Sequence, residues 1–305
     1  MGIEIVAIIL NWNGLDIKYS NEPILKLTIE SFKKTTNNIR LIVADAESKD
    51  GSVEYLHKNN IDVLKVKNNG WAYANNKAIK YAFKKYPNLD YILLLNDDLI
   101  FKDAHWINKL IKASKLKDIG IVGCKLLNTN GTIQQNRTYV NFFGISSSYK
   151  DSLNGVTYFV IGAVFLVKKE VFKKIGLFDE IYLPFFAEDT DFCNRASRAG
   201  FYSYYVGDTN ITHLESQSIK KTNIKTKWNK EQITYSSIRN TFIIALRYYK
   251  YKLPLVVFWL TLQSFFGLEP LKIKNSYEIK MQLKLLPRGL VDAFKSYKNY
   301  KYKVL

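Results

Sequence analysis

The chain has 305 residues, 47% of them hydrophobic, and 45 Lys and Arg against 27 Asp and Glu, for a formal net charge of +18. That is ample for a packed core in one or two domains. The two cysteines, Cys124 and Cys193, exclude a disulfide scaffold, so reduced thiols in a cytosolic compartment are expected. The charge is uneven: residues 218–305 carry a net +14 and residues 1–217 a net +4. An anionic partner is therefore expected for the C-terminal segment, either nucleic acid or an anionic membrane.

The first apolar run, residues 3–10, has no basic region before it, so no signal peptide is expected. It is too short to cross a membrane and predicts a buried strand. Further apolar runs at 39–44, 61–66, 91–96, 119–123 and 157–167 predict more strands. Amphipathic patterns at 22–35, 51–58, 71–86 and 105–117 predict helices between them. The alternation predicts an α/β fold with a largely parallel sheet, whose ligand sits at the carboxyl ends of the strands. Asn11, Asp45, Asn68 and the triplet Asn96-Asp97-Asp98 all fall just after predicted strands and are expected to meet at one sheet edge.

Asp45 opens Asp45-Ala46-Glu47-Ser48-Lys49-Asp50-Gly51-Ser52. A carboxylate at a strand end can accept from the imide N–H of uracil or thymine, while Asp50-Gly51 makes a turn and Ser52 can cap a helix. In the segment from Asn68 to Asn76, Gly70 lets the backbone approach a ligand closely, and Trp71 either joins that site or packs under the sheet. Neither a Walker loop nor a GxGxxG fingerprint is present. Asn96-Asp97-Asp98 offers carboxylate oxygens to Mg²⁺ or Mn²⁺, which can bridge to a diphosphate. Glu188-Asp189-Thr190-Asp191 puts three carboxylates just after an aromatic, Pro-containing turn, residues 182–186. Carboxylates so close raise one another's pKa unless a cation or donors intervene, which suits a general base. His213 follows a short strand-like piece, 201–206, and is placed to complete a metal's coordination. Together the acidic clusters indicate an enzyme acting on a nucleotide-activated substrate.

A composition shift near residue 218 divides the chain into a predicted catalytic domain, 1–217, and a basic helical extension, 218–305, facing acceptor or membrane. Its most apolar piece, residues 253–268, would span about 24 Å as a helix, short of the roughly 30 Å hydrocarbon core. Arg247, Lys250 and Lys252 precede it, and Lys272 and Lys274 follow. A helix lying in an anionic membrane interface is expected, with ordinary core packing as the alternative. The basic excess lies beside this apolar piece rather than among interleaved stacking aromatics, so nucleic acid is not the expected partner.

In this order the motifs resemble the family 2 glycosyltransferases with the GT-A fold, particularly the rhamnosyltransferase-like branch, over about residues 3–250. The resemblance rests on Ile8 to Asn13, Val43 to Ser52, Asn68 to Asn76, Leu95 to Asp98, Gly162-Ala163, Lys168 to Val171, Gly176 to Glu180, Glu188 to Asp191, Arg195 to Gly200, His213 to Ser216 and Arg239-Asn240. It implies that Asp45 reads a pyrimidine base, with Asn11, Asn13, Glu47, Asn68, Gly70, Trp71, Asn75, Asn96, Asp97 and Gly162 around the donor. It implies Asp98 and His213 as ligands of Mn²⁺ or Mg²⁺. Asp97 stands where Pro is common, which leaves the choice between Asp97 and Asp98 open. Asp189 matches the general base, Glu188 and Asp191 the residues that orient the acceptor or tune the base, and Arg239 and Asn240 an acceptor contact. Lys168 replaces a common Arg and Ala46 a common Asn, so donor identity stays open. The implied reaction is inverting, metal-dependent transfer from a UDP- or dTDP-sugar to a hydroxyl of a lipid-linked or cell-surface glycan, at the cytosolic face of the membrane. The rival readings are a non-catalytic nucleotide-sugar- or glycan-binding protein on the same scaffold, and a nucleotidyltransferase. Oligomeric state is open, since the tail could dimerise rather than meet lipid.

Overall fold

The computed structural model describes residues 3–214, 229–266 and 276–299. The chain runs β1 (Ile5–Asn11), a ribbon of β2 (Lys18–Tyr19) and β3 (Glu22–Pro23), α1 (Ile24–Thr35), β4 (Arg40–Asp45), α2 (Ser52–Lys58), β5 (Asp62–Lys65), α3 (Trp71–Lys85), β6 (Tyr91–Asn96), β7 (Leu99–Phe101), α4 (Trp106–Ser114) and β8 (Ile119–Leu127). It continues through β9 (Ile133–Gln135), β10 (Thr138–Val140), β11 (Ser146–Ser148), β12 (Gly155–Thr157), β13 (Val164–Lys168), α5 (Lys169–Ile175), α6 (Glu188–Arg198) and β14 (Tyr202–His213). Helices α7 (Lys230–Tyr248), α8 (Leu253–Phe266) and α9 (Ser276–Asn299) follow.

The main sheet has the order β12-β14-β8-β13-β6-β1-β4-β5, with β7 on β14 and β9 on β8. Strands β6, β1, β4 and β5 are parallel. The central strands read as unbroken apolar runs because both faces are covered. Ile5, Ala7 and Ile9 of β1 pack with α1 and α4 through Leu25, Phe32, Trp106 and Leu110. Val6 and Ile8 face the other side, where α3, α5 and α6 contribute Ala78, Phe172 and Phe192. Period-2 alternation thus divides each strand between two cores.

The sheet is largely parallel, as expected, and mixed, because β13 runs antiparallel between β6 and β8. Two features differ from the sequence expectation. The run 157–167 is not one strand: Thr157 ends β12, which pairs with β14, and Val164 opens β13, which pairs with β6 and β8. Between them the backbone leaves the sheet, and the Gly162 N–H goes to Asp189 Oδ2 at 3.1 Å. Finally, the short piece at 201–206 is part of a 12-residue strand that ends at His213. Its register on β8 shifts between Val206 and Ile211, and its far end pairs with β7, so that His213 lies opposite Leu99.

The composition boundary near 218, the pair Glu215-Ser216, the end of the 253–268 run, and Lys272 and Lys274 lie outside the described residues. Helices α7–α9 share a core with Ile181 and Tyr182, just ahead of α6. Helix α8 buries Val256 and Leu260 and leaves Phe258 exposed, so one face packs and another stays open. Among the described residues no helix is long and apolar enough to cross a membrane. Cys124 and Cys193 are free, buried thiols that burial pushes up to about 12.

The buried Asn76 side chain ties α3 to the chain ahead of α6. It donates to the Phe178 carbonyl at 2.9 Å and accepts from the Phe178 N–H at 3.0 Å. Asn76→Ala leaves both backbone groups buried and unpaired. It is expected to cost about 3 kcal/mol in urea unfolding, and a loss below about 1 kcal/mol contradicts this role.

Candidate active site

The carboxyl ends of β1 and β4 are in register, with Asn11 opposite Asp45. Asn11 Nδ2 donates to Asp45 Oδ2 at 2.8 Å and to Ser48 Oγ at 3.1 Å, and the Ser48 N–H donates to Asp45 Oδ1 at 3.0 Å. The Asn13 N–H reaches Ser48 Oγ at 2.9 Å, and its side-chain oxygen accepts from the Lys49 N–H at 2.8 Å. Ser48 is thus the hub of this corner. Glu47 accepts from the Asn68 N–H at 3.1 Å, which joins the loops after β4 and β5. A cavity of about 380 Å³ opens here, lined by Asp45, Glu47, Ser48 and the cations Lys49, Lys65 and Lys67 among others.

Beyond β6 the acidic pair splits. Asp98 Oδ1 lies 3.0 Å from His213 Nε2. Asp97 turns back to accept from the Trp12 N–H at 3.3 Å. Asn96 Nδ2 is 3.3 Å from His213 Nε2, and Gln134 Oε1 is 2.8 Å from His213 Nδ1. With Gln134 as acceptor, Nδ1 carries a proton, and Nε2 either carries a second one toward Asp98 or offers its lone pair to a cation. The Asp98 Oδ1 is buried and accepts no hydrogen bond of good geometry from the described residues. Part of Asp97 reaches the surface, but its carboxyl group is enclosed. That enclosure, and then the charge of Asp98, push it up to about 8 against the opposing Trp12 N–H. Among the described residues no three His, Cys, Asp or Glu side chains converge as a metal cage.

Glu188 and Asp189 occupy the first turn of α6, after Phe186 (φ 77°) and Ala187 (φ 74°). Asp189 accepts from the Gly162 N–H at 3.1 Å and from the Thr190 N–H at 2.6 Å. Burial raises its pKa, while these N–H donors oppose the rise. Burial and then the Asp189 charge push Glu188 well above the carboxylate range, and Glu188 Oε2 has no hydrogen-bond partner among the described residues.

Glu188 and Asp189 line one cavity of about 420 Å³ together with Asn96, His213, Trp71 and Gly162. Trp71 both packs and lines: its ring meets Phe178 edge-on at 4.9 Å, and a Cβ at Gly162 would lie 2.5 Å from Trp71 Cζ2. Gly70 abuts the Pro184 carbonyl, 2.2 Å from where its Cβ would stand. Asn75 stays behind this wall, donating to the Trp71 carbonyl at 3.0 Å.

Three expected site residues are directed elsewhere. Asp191 is fully buried and accepts from Tyr248 Oη (2.7 Å), Arg195 Nε (2.8 Å), Arg247 Nη1 (2.9 Å) and Tyr182 Oη (3.0 Å). Burial raises its pKa, but Arg195 and Arg247 outweigh that and hold it below the usual range. Arg239 and Asn240 point to backbone carbonyls of the 181–186 turn and do not line the 420 Å³ cavity. Sequence reasoning missed Gln134 and Arg247 as partners of site residues. Gln134 sits in a stretch, 129–155, with no legible motif, and Arg247 read only as part of the basic flank of an apolar run.

Residues 17–176 match the profile of Glycosyl transferase family 2. The chain belongs to that family. This glycosyltransferase is 27% identical over 160 residues to "O-antigen biosynthesis protein RfbC" of Myxococcus xanthus, a match covering 47% of this chain and 12% of that protein. It is 23% identical over 219 residues to "Uncharacterized protein y4gI" of Sinorhizobium fredii, covering 64% of this chain and 23% of that protein. The chain therefore spans less than a quarter of the length of these curated relatives. Its GT-A-like fold is that of GalNAc-T7 with UDP, GalNAc and Mn²⁺ (TM-score 0.62, 14% identity, 98% of this chain and 58% of that chain). It is also that of the mannosyltransferase PcManGT from Pyrobaculum calidifontis with GDP-Man and Mn²⁺ (TM-score 0.53, 11% identity, 98% and 88%).

The raised Asp97 makes a pH prediction for the metal-free glycosyltransferase. The folded chain holds this proton up to pH about 8, whereas the unfolded chain releases it near pH 4. The stability it contributes is complete below about pH 4 and lost as pH rises to about 8. Unfolding free energy should therefore fall more between pH 6 and 9 in wild type than in Asp97→Asn. Equal slopes would contradict the assignment.

Proposed function

We propose that this glycosyltransferase moves a sugar from a UDP- or dTDP-sugar to a hydroxyl of a lipid-linked or cell-surface glycan, with inversion and with Asp189 as general base. The observation that carries this reading is the single cavity lined by the Asn96–His213 edge on one side and Glu188–Asp189 on the other. The pocket at Asp45 takes the pyrimidine, and its lysines, Lys49, Lys65 and Lys67, offset the carboxylates of Asp45, Glu47 and Glu54 that line it with them. The name of the Myxococcus relative supports a surface-polysaccharide acceptor.

The donor set fits a divalent cation. Asp98 Oδ1 and His213 Nε2 are two electron-pair donors 3.0 Å apart, and Gln134 holds the imidazole proton on the far nitrogen. Such a pair is at ease only with a cation or proton between them. Asp98 and His213 would hold Mn²⁺ or Mg²⁺, and a diphosphate and water would complete the coordination sphere. When bound, the ion neutralises charge that develops on the departing nucleoside diphosphate.

Asp189 takes the proton of the acceptor hydroxyl as its oxygen attacks the anomeric carbon from the face opposite the diphosphate. Its raised pKa brings it closer to working pH, which improves a general base. Glu188 keeps its own proton to higher pH, so the pair presents one negative charge rather than two. The described helices of the C-terminal segment, α7–α9, carry the acceptor- or membrane-facing part. Phe142, Tyr251 and Phe258 are exposed, and Phe143 stacks on Trp259 at 4.6 Å, joining the 141–145 turn to α8. Lys250 and Lys252 flank this apolar face, which suits an anionic bilayer surface at the cytosolic side.

Asp189→Asn should lower transfer by about 10²- to 10⁴-fold with donor affinity unchanged. Undiminished turnover would refute the base. In wild type the rate should fall as pH drops through the raised Asp189 pKa, an acid limb lying above that of an ordinary carboxylate. Tyr251→Ser with Phe258→Ser should reduce pelleting with phosphatidylglycerol-containing vesicles, and unchanged pelleting would remove the membrane face.

A further inference from the structure

We propose that α7 is the positioning element of the general base. On this view Arg239 and Asn240 hold the turn that carries Glu188 and Asp189 and do not contact the acceptor. The proposal rests on Asp189 being the base.

The turn from Ile181 to Ala187 starts buried at Ile181 and Tyr182 and reaches the surface at Phe186, so the carbonyls on its inner side need donors. Asn240 is fully buried, and its Nδ2 donates to the carbonyls of Tyr182 (2.8 Å), Phe185 (2.9 Å) and Phe186 (2.9 Å). Its Oδ1 accepts from Arg239 Nε at 2.9 Å, which fixes the amide with nitrogen toward the turn. Arg239 Nη2 adds the carbonyls of Leu183 (2.7 Å) and Ile181 (2.9 Å). Two adjacent side chains of one helix thus satisfy five carbonyls in six consecutive residues.

The hold is needed where it is applied. Phe186 and Ala187 have left-handed φ values, a region that non-glycine residues keep only when their surroundings enforce it. The next two residues are Glu188 and Asp189. Helix α7 also grips the chain on either side of the turn. Arg247 Nη1 reaches Asp179 at 2.6 Å and Asp191 at 2.9 Å, and Tyr248 Oη reaches Asp191 at 2.7 Å. Opposite α7, the Pro184 carbonyl meets the Trp71 N–H at 3.4 Å on the donor side. The turn is therefore clamped between the donor loop and α7, and the clamp sets where Asp189 stands.

The test uses the full chain with Asn240→Ala and, as a milder variant that keeps the charge but loses the fork, Arg239→Lys. Hydrolysis of UDP-glucose, UDP-galactose and dTDP-rhamnose is followed by nucleoside diphosphate release with Mn²⁺ and no acceptor. Hydrogen exchange of the amides in 181–190 is measured alongside. The proposal expects kcat to fall about 10- to 100-fold with donor KM unchanged, and exchange to quicken in 181–190 but not in β1 or β6. Residues that contacted only the acceptor would leave acceptor-free hydrolysis and exchange unaltered, which overturns the proposal. Exchange that quickens uniformly also overturns it, because that is general destabilisation. If wild type hydrolyses no donor, the donor reading fails, and the exchange pattern alone still decides the proposal.

Discussion

Carboxyl groups repel one another most where water is scarce, and this protein places two neighbouring pairs of them in poorly solvated positions. Asp97 and Asp98 follow β6, and Glu188 and Asp189 open α6. Neither pair can hold two full charges without help. The help differs. At α6, backbone N–H groups from Gly162 and Thr190 stabilise Asp189, while Glu188 is left to keep a proton. At β6, Asp97 turns to a backbone amide and Asp98 to an imidazole. The first arrangement leaves one ionised carboxylate, the base we propose; the second sets a carboxylate and an imidazole 3.0 Å apart, the cation site we propose.

The mixed sheet is what brings these pairs together. A wholly parallel sheet would put α6 and His213 on separate excursions. Here β13 returns antiparallel beside β6, and the irregular stretch before it delivers Gly162 to Asp189. The end of strand β14 then lies between β8 and β7, with Ile211 and Thr212 paired to both, and just beyond it the Leu214 N–H bonds the Asp98 carbonyl at 2.8 Å. That backbone bond sets His213 beside Asp98 before any side-chain interaction is considered. The C-terminal helices complete the site from behind: Ile181 and Tyr182 belong to their core rather than to either face of the sheet.

Strand-end chemistry was legible in the sequence because unbroken apolar runs have one geometric meaning in a doubly covered sheet, and Asn11, Asp45 and Asn96 sit at their ends. The α/β class followed from the alternation of those runs with helical patterns, and the GT-A fold from the resemblance of the motifs to family 2 glycosyltransferases. What the runs could not convey was direction and partner choice. Nothing in residues 157–167 marks a strand that changes neighbours, since Gly162 is explained only by the Trp71 ring against it. Charge in the 188–191 cluster was visible, but not that the Asp191 side chain turns away from the other two into a pair of arginines. One of those, Arg247, is more than fifty residues distant. Likewise Arg239-Asn240 read, through the resemblance, as an acceptor contact, because hydrogen bonds to main-chain carbonyls leave no trace in the pattern of the residues they serve.

The most direct test of one cleft holding donor, cation and base is a crystal structure of the protein grown with Mn²⁺ and UDP, using anomalous scattering to locate the ion. The account predicts a manganese peak between the Asp98 carboxylate and His213 Nε2, with the uracil against Asp45 and the diphosphate reaching toward the Asp189 cavity. Manganese bound away from both Asp98 and His213, or UDP seated outside the Asp45 corner, would contradict it.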